Sequence, residues 1–504
     1  MTADAADNKI ITFGCRLNAY ESEAIKEALK KSDQKNLIVF NSCAVTSEAE
    51  RELRHAVRRA RKDNPLAKIV VTGCAAQIDP EKYARMEEVD LVLGNQEKSK
   101  AESYSTQPSS LSINSSSLGA SATEDLVSSA QNLERSLSLR FKDDEVLGRK
   151  ENVSGADADS AHKDRIFFEN RKSAATFLNP YDTSKIKVND IMSVKDTAPQ
   201  LVSYFENKTR AFLEIQNGCN HRCTFCIIPF GRGNSRSVAF GEIVDQVKKM
   251  VAAGHKEVVF TGVDISGYGE DLAVKITLSG MIKRLLKLVP ELPRLRLSSI
   301  DVAEIDEEFF EILKNEPRFM PYLHLSVQSG DDVILKRMKR RHNRAQVLEF
   351  CAKARQIRPD ITFGCDIIAG FPTETDEMFL NSVKLIEEAG ITFTHIFPYS
   401  KRDGTPAAKM PQINGTIIKE RAKILREAGS SELQKFLKTQ VGKNVYAILS
   451  LVEKEVRRNV VRNGSEQVQT QGNGNCAQET RQCADCKGRL WRHYRYFDEE
   501  SAAM

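Results

Sequence analysis

No uninterrupted apolar run in the 504 residues approaches the roughly 18–20 that a membrane-spanning helix needs, so no membrane partner is expected. The opening MTADAADNKI is acidic and polar and lacks the blocks of a secretory signal or an Arg-rich transit peptide, which makes the cytoplasm the expected compartment. A strong charge of one sign is also missing: the net +5 is too mild to assign a partner by itself. The 11 cysteines are clustered or placed at strand ends and form no secreted disulfide framework. In a reducing compartment their better use is metal or redox chemistry. The remaining composition, 41% hydrophobic and 28% charged, is that of an ordinary soluble chain with room for about two to four domains.

What is present is an alternation of apolar runs and helical patterns. KIITFGC (Lys9–Cys15), NLIVFNSC (Asn36–Cys43), KIVVTGC (Lys68–Cys74) and DLVLGN (Asp90–Asn95) read as strands separated by helices. Such alternation implies a doubly wound parallel α/β sheet over residues 1–98. Residues 99–185 break the pattern; Ala101–Ala130 is about one-third serine and reads as a disordered insert. Residues 186–206 read as an ordered linker. The alternation returns in 207–430 with six strands, at 212–216, 257–263, 294–300, 322–328, 362–370 and 393–400, which predicts a partial (βα)6 barrel. Over 431–504, Val441–Val456 has the character of a small β domain, RNGSEQVQTQGNGN (462–475) reads as loop, and the rest as a polar tail.

The densest chemistry is NGCNHRCTFC, with Cys219, Cys223 and Cys226 at C-x3-C-x2-C, directly after the first barrel strand. Chemistry in such folds sits at the carboxyl ends of the strands. A closed zinc site takes four ligands, and here a single His221 and no neighbouring C-x2-C pair accompany the three thiols. Three thiolates hold three irons of a 4Fe–4S cube and leave the fourth open, which fits spacing and context better than a zinc knuckle. Cys15, Cys43 and Cys74 each end a strand of the first domain. The ends of parallel strands share one edge, so these thiols read as a second convergent set rather than three separate core cysteines. Cys351 and Cys365 read as core residues. Cys476, Cys483 and Cys486, with His493, read as incidental tail residues in preference to a small zinc site.

The three-cysteine loop resembles that of the radical S-adenosylmethionine (SAM) superfamily. FTGVDISGYG (260–269), LSSID (297–301), HLSVQSG (324–330) and DIIAGFP (366–372) resemble its strand-end segments. The resemblance implies an open iron that binds SAM and delivers the electron that cleaves it to a 5′-deoxyadenosyl radical. It also implies cofactor contacts at Gly262, Ser299, Gln328 and Gly370. Two open clusters in one chain resemble the methylthiotransferases, which join a flavodoxin-like N-terminal domain to a radical SAM barrel. Family membership implies a sulfur-delivering auxiliary 4Fe–4S cluster on Cys15, Cys43 and Cys74, and a second SAM as methyl donor. It further implies a low-potential electron donor such as flavodoxin or ferredoxin, and a sulfur donor of unknown identity. GCRLNAYESE (14–23), NSCAVTSEAERELR (41–54) and CIIPFGRGNSRS (226–237) resemble the MtaB-type branch, which modifies N6-threonylcarbamoyladenosine in tRNA. The MiaB branch on isopentenyl-adenosine and the RimO branch on a ribosomal-protein aspartate are the alternatives within the family. A redox sensor that binds RNA without catalysis is the alternative outside it. The C-terminal TRAM barrel usual in the family reads here as degenerate or absent.

For an RNA partner, Arg51, Arg54, Arg58 and Arg61 recur at helical spacing after Cys43, and Ser47 with Glu50 reads as a capping box. The basic face is suited equally to phosphate contact and to solvent. A second run, KRMKRRHNR (336–344), either meets RNA or orients the cofactor through one arginine.

Overall fold

The computed structural model describes residues 8–32, 34–105, 185–195, 210–447 and 466–469. The serine-rich insert, residues 196–206 of the expected linker and the tail cysteines lie outside the described residues. The first domain runs β1 (Lys9–Thr12), α1 (Arg16–Lys30), β2 (Leu37–Ser42), α2 (Ser47–Asp63), β3 (Lys68–Gly73), α3 (Cys74–Ile78), α4 (Pro80–Ala84), β4 (Leu91–Leu93) and β5 (Ile186–Lys187). All strands are parallel, in the order β1-β2-β3-β4-β5. Every residue of β2 is buried, as expected of a strand covered on both faces. Ile25, Ala28 and Leu29 of α1 pack against Val39 and Val70 on one face. Leu53, Val57 and Ala60 of α2 pack against Phe40 and Val71 on the other. The segment read as a linker thus contributes a fifth strand at Ile186–Lys187, too short to carry a periodicity signal.

The barrel domain runs β6 (Arg210–Glu214), β7 (Gln216–Asn217), α5 (Ile228–Arg232), β8 (Arg236–Ser237), α6 (Phe240–Ala252), β9 (Glu257–Thr261), α7 (Leu278–Leu288), β10 (Leu295–Leu297) and β11 (Ser299–Ile300). It continues with α8 (Glu307–Asn315), β12 (Tyr322–Gln328), α9 (Asp332–Arg337), α10 (Arg344–Ile357), β13 (Thr362–Ala369), α11 (Asp376–Glu388), β14 (Phe393–Pro398) and α12 (Gly415–Gln440). The six expected strands are all present. The parallel ladders β10-β9-β6 and β11-β12-β13-β14 meet where Ser298 divides one strand into β10 and β11. Among the described residues β6 and β14 do not pair, so the sheet is a half-barrel.

Alternation decides the two faces of this sheet. Leu323, Leu325 and Val327 of β12 point outward into a core with Ile243 and Val247 of α6, Leu285 of α7 and Val347 of α10. Each such side chain contributes about 1.5–3 kcal/mol when fully buried. Helix α1 joins the two domains, because its Tyr20 and Ala24 belong to the barrel core while Ile25 and Leu29 serve its own sheet. After α12, β15 (Asn444–Ala447) pairs antiparallel with β16 (Glu466–Gln469). Reading all of 462–475 as loop is therefore corrected for Glu466–Gln469, where a partner strand supplies the ladder that composition did not announce. Among the described residues, no helix is long and apolar enough to cross a membrane.

Candidate active site: two cysteine triads

The Cys219–Cys226 loop is closed at its base by antiparallel pairing of β7 with β8. Gly218 has φ 74°, and a Cβ there would lie 1.9 Å from the Asn234 carbonyl, so only glycine permits this crossing. The Gln216 amide donates to the Gly218 carbonyl at 2.7 Å and the Ser235 hydroxyl at 2.9 Å. Its oxygen accepts the Val263 and Asp264 N–H groups at 3.0 and 2.8 Å, which ties the loop to the end of β9. Thr224 anchors the far side, donating its N–H to Met338 at 3.1 Å and its hydroxyl to Arg337 at 2.8 Å.

Around the thiols stands a ring of charge. Cys219 Sγ lies 3.7 Å from Asp264 Oδ2 and accepts the His221 N–H at 3.4 Å. Arg340 reaches Cys223 Sγ at 3.6 Å and is held by Asp301 at 2.8 Å and the Ser326 carbonyl at 2.8 Å. His221 pairs with Asp264 at 2.8 Å and Glu304 at 3.4 Å, and those carboxylates raise its pKa to about 10, so it is an imidazolium at neutral pH. Burial works against ionisation of Asp301, but His342 and Arg340 overcome it and hold the carboxyl below the usual range.

The residues suit an iron cluster by their donor chemistry. Burial and the neighbouring Cys223 thiol push Cys226 up to about 12, and burial with the Asp264 charge pushes Cys219 up as well. Thiols crowded in this way stay protonated without a cation and become thiolates when irons coordinate them. His221 Nε2 is turned to the Asp264 and Glu304 carboxylates, and its ligating atom lies within 4.8 Å of those of Cys219 and Asp264.

Cys15, Cys43 and Cys74 follow the ends of β1, β2 and β3, and the structure brings them together. Two glycines make the approach possible. A Cβ on Gly14 (φ 97°) would sit 2.7 Å from Cys43 Cβ, and one on Gly73 (φ 93°) 2.4 Å from the Ser42 carbonyl. Burial and the charges of the other two thiols push Cys43 up to about 12, the same donor chemistry as in the loop.

The decisive neighbour comes from the other domain. Arg232, at the end of α5 on the loop that carries Cys226, donates Nε–H to Cys74 Sγ at 3.0 Å. Its remaining nitrogens hold Asn18 Oδ1 at 2.7 Å and both Glu21 carboxylate oxygens, one at 2.9 Å. Lys98 binds the same Glu21 at 2.6 Å, and Arg232, Glu21 and Lys98 are 2%, 1% and 0% exposed. Two cations on one buried carboxylate, next to a thiol, leave room for the negative charge of a thiolate.

Sequence reading located the six cysteines and, in the 336–344 run, allowed for one arginine at the cofactor, the place Arg340 takes beside Cys223; it missed Arg232, Glu21, Lys98, Gln216, Asp264 and Asp301. FGRG and YESE held part of the signal, but nothing in their wording pairs residues across domains. Among the expected cofactor contacts, Gly262 is cradled 2.5 Å (at its would-be Cβ) from the Gln216 carbonyl. Gln328 ends β12 with φ 72°. Ser299 opens β11 in register with His324. Gly370 (φ 73°) packs against Ile418 of α12, which a Cβ would approach to 2.6 Å.

The helix α2 forms where expected, but Thr46 caps it, accepting from Ala49 N at 3.2 Å. Glu50 turns to Lys82 and Arg402, so the expected Ser47–Glu50 box is absent. Arg51 pairs with Glu48, and Arg58 with Glu88 at 3.6 Å, both arginines at the surface, while Arg54 is half-buried. Arg61 binds Asp90 and the carbonyls of Pro65, Ala67 and Glu88, an engagement with the fold rather than with a partner. Of the 336–344 run, Arg337, Arg340 and Arg344 are held by the fold, on Thr373, Asp301 and Gly330, while Lys336, Lys339 and Arg341 are exposed.

Residues 213–386 match the model of the radical SAM superfamily, and residues 8–94 match that described as uncharacterized protein family UPF0004. The chain is thus a radical SAM protein with a UPF0004 domain in front of its half-barrel. Superfamily membership implies SAM and a 4Fe–4S cluster. The chain is 49% identical over 441 residues, 88% of its length and 87% of the relative, to "Threonylcarbamoyladenosine tRNA methylthiotransferase MtaB" of Rickettsia prowazekii. The protein of that name from Aquifex aeolicus is 32% identical, over 87% of this chain and 91% of the relative. "tRNA-2-methylthio-N(6)-dimethylallyladenosine synthase" of Erythrobacter litoralis is 29% identical, over 86% and 84%. This chain belongs to the MtaB family of radical SAM methylthiotransferases.

Proposed function

We propose that this chain converts N6-threonylcarbamoyladenosine beside the anticodon of tRNA to its 2-methylthio derivative, in the cytoplasm, and draws electrons from a low-potential donor such as flavodoxin or ferredoxin. The observation that carries the reading is that Arg232, at the end of α5 after the loop of the first three-cysteine set, donates to Cys74 of the second. The 49% identity to an MtaB protein supports the substrate.

In this reading Cys219, Cys223 and Cys226 hold the SAM-cleaving cluster, and Cys15, Cys43 and Cys74 hold the auxiliary one. Bound there, the two clusters supply the electron that cleaves SAM and the sulfur that is transferred. The chain's own residues orient and insulate this chemistry. Gln216 locks the cysteine loop to the Val263–Asp264 backbone, beside Gly262, where close backbone approach suits a cofactor contact. Arg340 places a guanidinium beside Cys223, which stabilises added negative charge on that thiolate. Arg232 does the same for Cys74. Arg51, Arg54 and Arg58 of α2 form the proposed phosphate-facing surface, beside Cys43; Arg61 supports the helix from below.

The test is mass spectrometry of tRNA nucleosides from cells with and without the gene. Loss of 2-methylthio-N6-threonylcarbamoyladenosine, with its precursor accumulating, is the expected result. Loss of the isopentenyl counterpart instead transfers the protein to the MiaB-type substrate, and no change in either nucleoside removes the tRNA reading.

A further inference from the structure

On the inner face of the half-barrel stands a third group of ligating side chains, made of residues that belong to neither cysteine triad. His324 of β12, Asp366 of β13 and His395 of β14 come from three adjacent strands. Asp366 and His395 are register partners, and His324 pairs with Gly364, which shares a face with Asp366. Gly364 makes the arrangement possible: a Cβ there would lie 2.3 Å from Tyr322 Oη and 2.6 Å from His324 Nδ1.

Both imidazoles aim a nitrogen at one carboxylate oxygen. His324 Nε2 is 2.8 Å and His395 Nδ1 3.2 Å from Asp366 Oδ1, with ring centroids 4.6 Å apart. A divalent ion about 2.1 Å from such ligands has ligand–ligand edges of roughly 3.0–3.4 Å; two of the three edges here are near that length, and all three ligand atoms lie within 4.8 Å of one another. Tyr322 Oη lies 3.0 Å from the other ring nitrogen of His324, the outer-shell contact that fixes the tautomer of a metal-bound imidazole. Burial lowers the pKa of His324, and against the effect of burial His324 and His395 hold Asp366 below the usual carboxylate range.

We propose that His324 Nε2, Asp366 Oδ1 and His395 Nδ1 bind one divalent transition-metal ion in the barrel lumen. Two imidazoles select Zn2+ or Fe2+ over Mg2+, and three protein ligands leave positions open to a ligand in the lumen. Asp366 and His395 keep 21% and 15% of their side-chain surface accessible there. The site is separate from the methylthio-transfer reading and does not depend on it.

The test uses holoenzyme with its cysteine sites reconstituted, incubated with Zn2+ and desalted, and then measured for zinc and iron in one sample and by zinc-edge X-ray absorption. The expected result is about one zinc per chain with a nitrogen and oxygen shell and imidazole scattering. His395→Gln and Asp366→Asn lose that zinc while iron content and melting temperature hold, and Tyr322→Phe weakens zinc affinity about tenfold. If either ligand variant melts early, Tyr322→Phe and the ligand shell of the wild type decide. Absence of zinc, a sulfur shell, or zinc retained equally in the variants overturns the site and leaves a hydrogen-bonded triad only. The iron count in the same sample reports on the cluster reading independently.

Discussion

The two cysteine triads reach similar chemistry by opposite routes. Cys219, Cys223 and Cys226 lie on one short loop, and their mutual placement depends on a glycine crossing and a local turn in which Cys226 N–H donates to the Cys223 carbonyl. Cys15, Cys43 and Cys74 come from three strands, and their placement needs the whole parallel sheet, two positive-φ glycines and an arginine from the other domain. A local site tolerates trouble elsewhere in the fold. A site assembled from strand ends is as sound as the docking of its domains, and here α1 and the Arg232–Glu21–Lys98 network supply that docking.

The largest effects separate the triads outright. Replacing Cys219, Cys223 and Cys226 together by Ala should about halve the iron per chain and abolish both 5′-deoxyadenosine formation and methylthio transfer. The same change at Cys15, Cys43 and Cys74 should also about halve the iron and abolish product, yet leave 5′-deoxyadenosine formation in place. Identical loss of 5′-deoxyadenosine in both variants would break the division of labour.

Next in size is Arg232→Gln, which removes one of the two cations on buried Glu21 and leaves Lys98 as its partner, and should cost about 1.5–3 kcal/mol in denaturant unfolding. In protein lacking the loop cysteines it should also lower the reduction potential of the strand-end cluster, because a charge-assisted N–H···S contact is gone. Arg232→Lys should restore part of the potential, a recovery that a merely structural role does not produce.

Gln216→Ala tests the local triad in the same way. It leaves the Val263 and Asp264 N–H groups without their acceptor, so a loss of about 1–3 kcal/mol is expected, and with it faster iron loss from the loop while the strand-end triad keeps its metal.

The smallest effect is a pH slope at the domain junction. Burial, and then the charge of Glu21, raises Glu214 from 4.5 to about 7. The folded chain then holds a proton that the unfolded chain releases between those values, so stability falls as pH rises through that window. Glu214→Gln should flatten this slope in a melting series; an unchanged slope would show that Glu214 ionises freely.

Much of this was legible in the residues. The apolar runs KIITFGC, NLIVFNSC and KIVVTGC announce strands because a strand covered on both faces carries no polar alternation. The C-x3-C-x2-C spacing announces its site because a loop of that length cannot place its thiols far apart. The charged residues were harder to read. Arg61, Arg337, Arg340 and Arg344 look like surface cations in sequence and are bound within the fold, while Arg232 carries no mark of burial at all. Propensity and spacing report on neighbours in the chain, and these residues are decided by partners far away in it.

Sequence by itself determined the longer strands and helices, both sets of cysteines and the family, since periodicity and motif spacing are local properties. Tertiary structure alone decided the β1-β2-β3-β4-β5 order, the strand from Ile186–Lys187, the seating of Arg232 on Cys74 and the His324–Asp366–His395 cluster. The physical reason is that a charge or a ligand set is stable in a buried place only when its partners arrive together, and their arrival is a property of the packed chain.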